Sequence, residues 1–479
     1  MAAHTISPEG GRLVAEGGGA HGERFLTSAL TEQGRFLSTD DFLEWFAELR
    51  QSVAFDVKEI PFTSLRSWGF EPDTGNLVHE SGRFFSIQGV DLRDANTGEQ
   101  RSQPIINQPE TGILGILAKE FDGVLHFLMQ AKPEPGNADK LQLSPTMQAT
   151  HSNYTGVHRG STVPYAEYFL GPERERVLVD TLQSEHGDWF WFKHNRNLIV
   201  ETTREVPVRE SFQWLTLGQI LRLLSTDNVV NMDTRSVLAC APLGPWRDSG
   251  DGFGAALARS SQPPDPAGCP SGGLGTWLIE AKARHRSERR LTGLAEVRTW
   301  RRSPERIARA DGGRFDVLAV SVTAGTREVT NWTQPLIEPC AQGLVAFLVK
   351  RIDGVLHILF RAGAEPGLRD SVEIAPTLQC VPSDPAETER LPFYGTVTEA
   401  GRGDIRFQAL LSEEGGRFLN AMSDYRIVEV GPEFPEQVPA DYHWATLGEL
   451  TDLLRHDQYL SIQTRTLVLC LRSLLGDSS

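Results

Sequence analysis

The loop Lys132-Pro133-Glu134-Pro135-Gly136-Asn137 holds an amine, a carboxylate and an amide. Proline and glycine alone account for a rigid turn. No turn geometry requires the glutamate, so Glu134 is marked for binding or for a structural hydrogen bond. The segment that follows alternates. Leu141, Leu143 and Met147 point one way, and Gln142, Ser144, Thr146 and Gln148 the other. A plain solvated face would carry Lys and Glu. Amides and hydroxyls instead offer paired donors and acceptors for a neutral base or sugar. Beyond them come His151, Ser152, Asn153, Tyr154, His158 and Arg159, which gather a base, a phenol and a cation.

Half of this chemistry occurs twice. Residues 119–148 and 350–379 share 15 of 30 positions without a gap. Residues 214–240 and 444–470 share 10 of 27. The period is far longer than the ~20–50 residues of a solenoid, so each copy is domain-sized. Glu-Pro-Gly recurs at Glu365-Pro366-Gly367, and Pro-Thr-x-Gln at Thr377 and Gln379. The ionisable groups do not recur. Gly363 replaces Lys132, Pro382 replaces His151, Pro385 replaces Tyr154 and Glu389 replaces His158. The first copy is therefore expected to be catalytic, and the second to keep a related pocket with reduced chemistry.

Other chemistries lack their signatures. The sequence has no GxxxxGK[ST] loop, no HExxH, no convincing Gly-rich dinucleotide fingerprint after a strand and no G-x-S-x-G elbow. His186 and His194 lie near acidic residues without metal-ligand spacing, and read as surface histidines; no metal site is expected. The net charge of −16, from 47 basic and 63 acidic residues, opposes general nucleic-acid binding. No apolar run approaches the ~20 residues that span a bilayer, so no membrane association is expected. The five cysteines form no CxxC pair, which fits a reducing cytoplasm.

Several elements must position these groups. Ser38 with Asp41 caps a helix carrying Phe42, Trp45, Phe46 and Leu49, and Trp277 opens its counterpart. Asp122-Gly123 and Asp353-Gly354, between apolar runs, mark hairpins. Thr216 with Gln219, and Thr446 with Glu449, form capping boxes of late helices. Strands flanked by helices give an α+β class, with a mixed sheet packed on helices in each copy. In residues 244–273, 16 of 30 are Gly, Pro or Ser, the composition of a linker. The expected organisation is a flexible tail 1–37, a first domain 38–243, a linker 244–273 and a second domain 274–476.

The stretches HFLMQAKPEPGN, LQLSPTMQATHSNY and VPYAEYF resemble the NDP-hexose 2,3-dehydratases of deoxysugar biosynthesis. The resemblance covers nearly the whole chain outside the tail and linker. It implies two tandem Nudix-like domains, a homodimer, a cytoplasmic setting and dTDP-4-keto-6-deoxyglucose as substrate. It also implies no cofactor, and functional coupling to a 3-ketoreductase. The Nudix carboxylate box itself is missing, which argues against diphosphate hydrolysis. Under this resemblance His151 or Tyr154 is the base or acid. Lys132 stabilises an enolate, or is the base if burial lowers its pKa. Glu134, Asn137, Gln142, Thr146, Gln148, Ser152, Asn153 and His158 bind substrate. Arg159 clamps the diphosphate, and Tyr165 stacks on the thymine or bonds the diphosphate. Arg361, Glu365, Thr377 and Gln379 line the second pocket. The alternatives are a nucleotide-sugar diphosphatase and a non-catalytic nucleotide-sugar-binding protein.

Overall fold

The computed structural model describes residues 18–95, 97–150, 163–170, 176–244, 246, 250–263, 273–310, 312–325, 330–384 and 388–475. The first copy opens with helices α1 (Gly18–Ala29) and α2 (Thr39–Ser52). Five strands follow: β1 (Phe55–Ile60), β2 (Trp68–Phe70), β3 (Leu77–His79), β4 (Ser86–Asp94) and β5 (Gln100–Asn107). The hairpin β6 (Gly112–Phe121) and β7 (Val124–Pro133) leads to β8 (Leu141–Ser144) and β9 (Met147–Thr150). A short helix α3 (Ala166–Phe169) precedes β10 (Arg176–Ser184), β11 (Phe190–Trp191), β12 (His194–Glu201) and β13 (Phe212–Thr216). Helices α4 (Leu217–Leu223) and α5 (Met232–Ala239) close the copy.

The second copy repeats the order. Helices α6 (Phe253–Ser260) and α7 (Leu274–Arg284) lead to β14 (Ser287–Thr292), β15 (Trp300–Arg302), β16 (Arg306–Arg309), β17 (Phe315–Ala324) and β18 (Asn331–Pro339). Then come β19 (Gly343–Ile352), β20 (Val355–Ala364), β21 (Val372–Pro376) and β22 (Leu378–Cys380). Last are α8 (Tyr394–Thr398), β23 (Ile405–Ser412), β24 (Met422–Glu429), β25 (Tyr442–Thr446), α9 (Leu447–Leu453) and α10 (Ile462–Ser473). The architecture is mixed α/β in duplicate, as the sequence repeat implies.

Local signals act where the sequence places them. Ser38–Asp41, Thr216–Gln219 and Thr446–Glu449 are complete capping boxes. Asp122 and Gly123 take φ of 51° and 81°, and Asp353 and Gly354 take 48° and 76°. Two positive φ values in a row suit a two-residue hairpin, whose turn must follow the strand twist.

Each copy builds a seven-stranded sheet. In the first the order is β10-β12-β6-β7-β13, with β8 on β7 and β9 on β6; the second matches it as β23-β24-β19-β20-β25, with β21 on β20 and β22 on β19. The remaining sheets mix the copies. Strand β1 pairs with β17 from Phe55↔Ala324 to Ile60↔Ala319. Strand β14 pairs with β4 from Ser287↔Asp94 to Thr292↔Gly89. Each copy thus lends its first strand to the other, and the core around Leu77, Phe85, Ile106, Val317, Ile337 and Phe418 is shared.

Two expectations need correction. Residues 18–29 lie in the expected tail yet form α1, with Phe25 and Ser28 fully buried. Residues 253–260 lie in the expected linker yet form α6, with Leu257 and Ser260 fully buried. The two helices are counterparts. Leu217 donates its backbone N–H to Ser28 Oγ at 2.9 Å, and Leu447 does the same to Ser260 Oγ at 2.8 Å. The duplicated unit therefore begins with a helix that serves the start of its own late helix. Gly, Ala and Ser dominate both segments, so the apolar period that betrays a helix is faint.

Candidate active site

Strand β7 delivers Lys132, and β9, paired with β6 through Gln148↔Leu114, delivers Gln148 beside it. Lys132 Nζ donates to Glu134 Oε1 at 3.0 Å and to Gln148 Oε1 at 2.7 Å. Gln148 Nε2 donates to Glu134 Oε1 at 3.1 Å, which closes a triangle. Glu134 is buried, while Lys132 and Gln148 keep some exposure. A largely buried ammonium held by a buried carboxylate and an amide can meet a developing oxyanion. The second copy keeps part of the triangle. Gln379 Nε2 donates to Glu365 Oε1 at 3.1 Å, and Gly363 leaves no amine. Arg361 is the cation nearest in sequence, and its charge acts on Glu365.

The glycine of each Glu-Pro-Gly loop is explained by the other copy. Gly136 N–H donates to Gly415 O at 2.7 Å, and Asn420 N–H donates to Gly136 O at 2.8 Å. A Cβ on Gly136 would lie 1.7 Å from Phe418 O. The second loop mirrors this. Gly367 N–H donates to Gly187 O at 2.7 Å, Phe192 N–H donates to Gly367 O at 2.8 Å, and a Cβ on Gly367 would lie 1.7 Å from Phe190 O. Each pocket loop is clasped by a loop of the opposite copy.

Between these clasps lies a buried set of charges that the sequence reading did not find. His186 Nε2 sits 2.9 Å from Glu413 Oε2, and its Nδ1 lies 4.0 Å from Glu185 Oε2. Burial alone would lower its pKa; the two carboxylates outweigh this and raise it to about 10. Burial, reinforced by the Glu134 charge, lifts Glu414 to about 7. Burial and the nearby Glu185, Glu414 and Glu134 hold Asp233 well above the usual carboxylate range. Burial brings Lys193 down to about 8. Burial, with Asp188 adding to it, raises Glu365 to about 7.

The expected site residues divide into groups. Lys132, Glu134 and Gln148 come together. His151, Ser152, Asn153, Tyr154, His158 and Arg159 lie outside the described residues. Gln142, Thr146 and Thr377 are fully buried and bond to groups of the protein. Gln142 Nε2 donates to Asn228 O at 3.0 Å and to Ser412 Oγ at 2.5 Å. Thr146 Oγ1 accepts from Leu117 N at 2.8 Å and donates to Leu128 O. Thr377 Oγ1 accepts from Leu348 N at 2.9 Å and donates to Leu359 O. Pro145 and Thr146 separate β8 from β9, so the alternating polar residues do not share one strand face. Asn137 ties its own loop through Lys140 O at 3.1 Å. Tyr165 is buried, donating to Pro207 O at 2.8 Å and accepting from Arg209 N at 3.1 Å. His186 and His194 are buried, not surface, histidines.

The model of the NDP-hexose 2,3-dehydratase family matches this chain twice, over residues 39–241 and 272–471. The chain belongs to that family. Among curated relatives, a dTDP-4-dehydro-6-deoxy-alpha-D-glucopyranose 2,3-dehydratase of Saccharopolyspora spinosa is 50% identical over 465 residues, 94% of this chain and 95% of the relative. A protein of the same name from Amycolatopsis orientalis is 46% identical, covering 95% of this chain and 94% of the relative. Another from Streptomyces violaceoruber is 44% identical, covering 92% of this chain and 98% of the relative.

Proposed function

We propose that this chain is a dTDP-4-keto-6-deoxy-D-glucose 2,3-dehydratase, a hydro-lyase of deoxysugar biosynthesis. The observation that carries this reading is identity of 50% to a relative of that name along 94% of the chain, across both copies. The C4 ketone acidifies the C3–H bond. A base removes that proton and leaves an enediolate. The C2 hydroxyl departs as water with a proton from an acid, and the enol tautomerises to a 3,4-diketo-2,6-dideoxy sugar nucleotide.

The first copy is assigned the chemistry, because Lys132 is present there and Gly363 stands at its counterpart. Lys132, held by Glu134 and Gln148, stabilises the enediolate oxygen. His151 and Tyr154 are proposed as the base and acid, and Arg159 as the diphosphate clamp. The second pocket, around Glu365 and Gln379, retains binding without turnover. The chain works as a cytoplasmic homodimer, and its diketo product passes to a 3-ketoreductase. Among the described residues no helix is long and apolar enough to cross a membrane.

The test is incubation with dTDP-4-keto-6-deoxyglucose and mass spectrometry of the nucleotide sugar, with a 3-ketoreductase present to trap the product. Loss of one water per substrate is expected. Release of dTMP and sugar phosphate, or tight binding with no consumption, would replace this reading with one of the two alternatives.

A further inference from the structure

The charged neighbours of Glu134 come from both copies. The loop that clasps Gly136 carries Glu414, next to the Gly415 whose carbonyl accepts the Gly136 N–H. A Cβ on Gly415 would lie 3.2 Å from Glu134 Cβ, so the two loops are in contact at the glutamate itself. Glu414 Oε1 accepts from Gly416 N at 2.9 Å, whereas its buried Oε2 has no hydrogen-bond partner. The opposite clasp differs. There His186 occupies the position of Glu414 and bonds to Glu413, and Lys193 stands where the Glu414 loop has Ala421. At this one position the copy that has Lys132 meets a carboxylate, and the copy that lacks it meets an imidazole, with Asp188 of the same loop also acting on Glu365.

We propose that Glu414, contributed by the second copy, is a positioning residue for the Lys132–Glu134 pair of the first-copy pocket. The carboxylate adds negative potential behind Glu134 and so holds the Lys132 ammonium in its place between Glu134 and Gln148. Several groups face Glu414. Glu134, bonded to Lys132, comes from the loop after β7; Glu185 and Lys193 come from the end of β10 and the start of β12. Asp233 faces it from α5, and Arg417 from its own loop. Glu414 is lifted to about 7 by burial and Glu134, so its charge changes near neutrality. The pocket is most competent with Glu414 ionised.

This inference rests on the dehydratase reading and deepens it. The experiment measures kcat and KM from pH 5.5 to 8.5 for the full chain, Glu414→Gln and Glu414→Asp. For the wild type, kcat is expected to rise through about pH 7. For Glu414→Gln, kcat falls by about tenfold at pH 8, the rise near neutrality disappears, and KM changes by no more than about twofold. Glu414→Asp restores the pH-dependent rise. A Glu414→Gln profile superimposable on that of an active wild type overturns the inference and leaves the dehydratase reading standing. So does a loss confined to KM. If Glu414→Gln does not fold, Glu414→Asp decides alone, since a charge-keeping variant with a flat profile overturns the role. A wild-type chain that binds the nucleotide sugar without releasing water takes down both.

Discussion

Lys132 has Gly363 as its counterpart, and it is held by two partners at 3.0 and 2.7 Å. Lys132→Met keeps most of the stem and removes the ammonium. It is expected to lower kcat by roughly 10²–10⁴-fold with the fold intact, checked by steady-state rates beside circular dichroism. Unchanged kcat would move the enolate stabiliser to another group. His186 supports a prediction about stability. Its folded pKa of about 10 stands above the ordinary 6.5. A raised pKa means the folded state binds the proton more tightly than the unfolded chain. The stabilisation is fully present below pH 6.5 and is lost as pH rises through 10. Melting curves at pH 6, 8 and 10 are expected to show a progressive drop that is smaller in His186→Gln. A parallel drop in the variant would assign the alkaline loss to other groups. At this scale the sequence singled out Lys132, Glu134 and Gln148 one by one, because all three lie within 17 residues of one copy; their mutual hydrogen bonds appear only in the structure. The sequence hid Glu414, because 280 residues separate that carboxylate from Glu134 and only the clasp of the two copies brings them together.

Elements were legible where the signal was local. The capping boxes at Ser38, Thr216 and Thr446, and the hairpins at Asp122 and Asp353, each lie within a few residues, and each is present. Elements fixed by distant partners were not legible. Nothing in Phe55–Ile60 announces that its partner is Phe315–Ala324, more than two hundred residues on. Helices α1 and α6 were hidden by their small residues, and their function is visible only in contacts. Ser28 and Ser260 each satisfy the first buried N–H of a late helix. Replacing either serine by alanine leaves that donor unpaired, which costs about 1–3 kcal/mol. Ser28→Ala and Ser260→Ala should each lower the urea midpoint by comparable amounts, without a change in slope. If only Ser28→Ala does so, α6 is a linker feature and not the counterpart of α1.

The whole molecule is held together by contacts that neither copy could make alone. Arg235 of the first copy donates to Ser412 O of the second, and Arg465 of the second donates to Ser184 O of the first at 2.5 Å. Gln142 reaches Ser412 at 2.5 Å, and Ser184 reaches Glu373 at 2.7 Å. Both arginines are fully buried. Separation would strip each guanidinium of a carbonyl partner that holds it while buried. It would also expose the edges of β4 and β17, where β14 and β1 now pair, and such bare edges invite aggregation. The two matched segments, 39–241 and 272–471, are repeats in sequence, and these shared contacts predict that they fold as one cooperative unit. Calorimetry of the full chain is expected to give a single transition with equal calorimetric and van't Hoff enthalpies, despite a length that normally divides into separate units. Residues 1–250 and 251–479 expressed singly should aggregate or self-associate, and expressed together they should co-purify as a pair. Two resolved transitions, or a soluble monomeric half that melts sharply, would show that strand exchange decorates two independent domains. In that case Glu414 would also lose its reason for reaching across, because a pocket that folds alone needs no carboxylate from its neighbour.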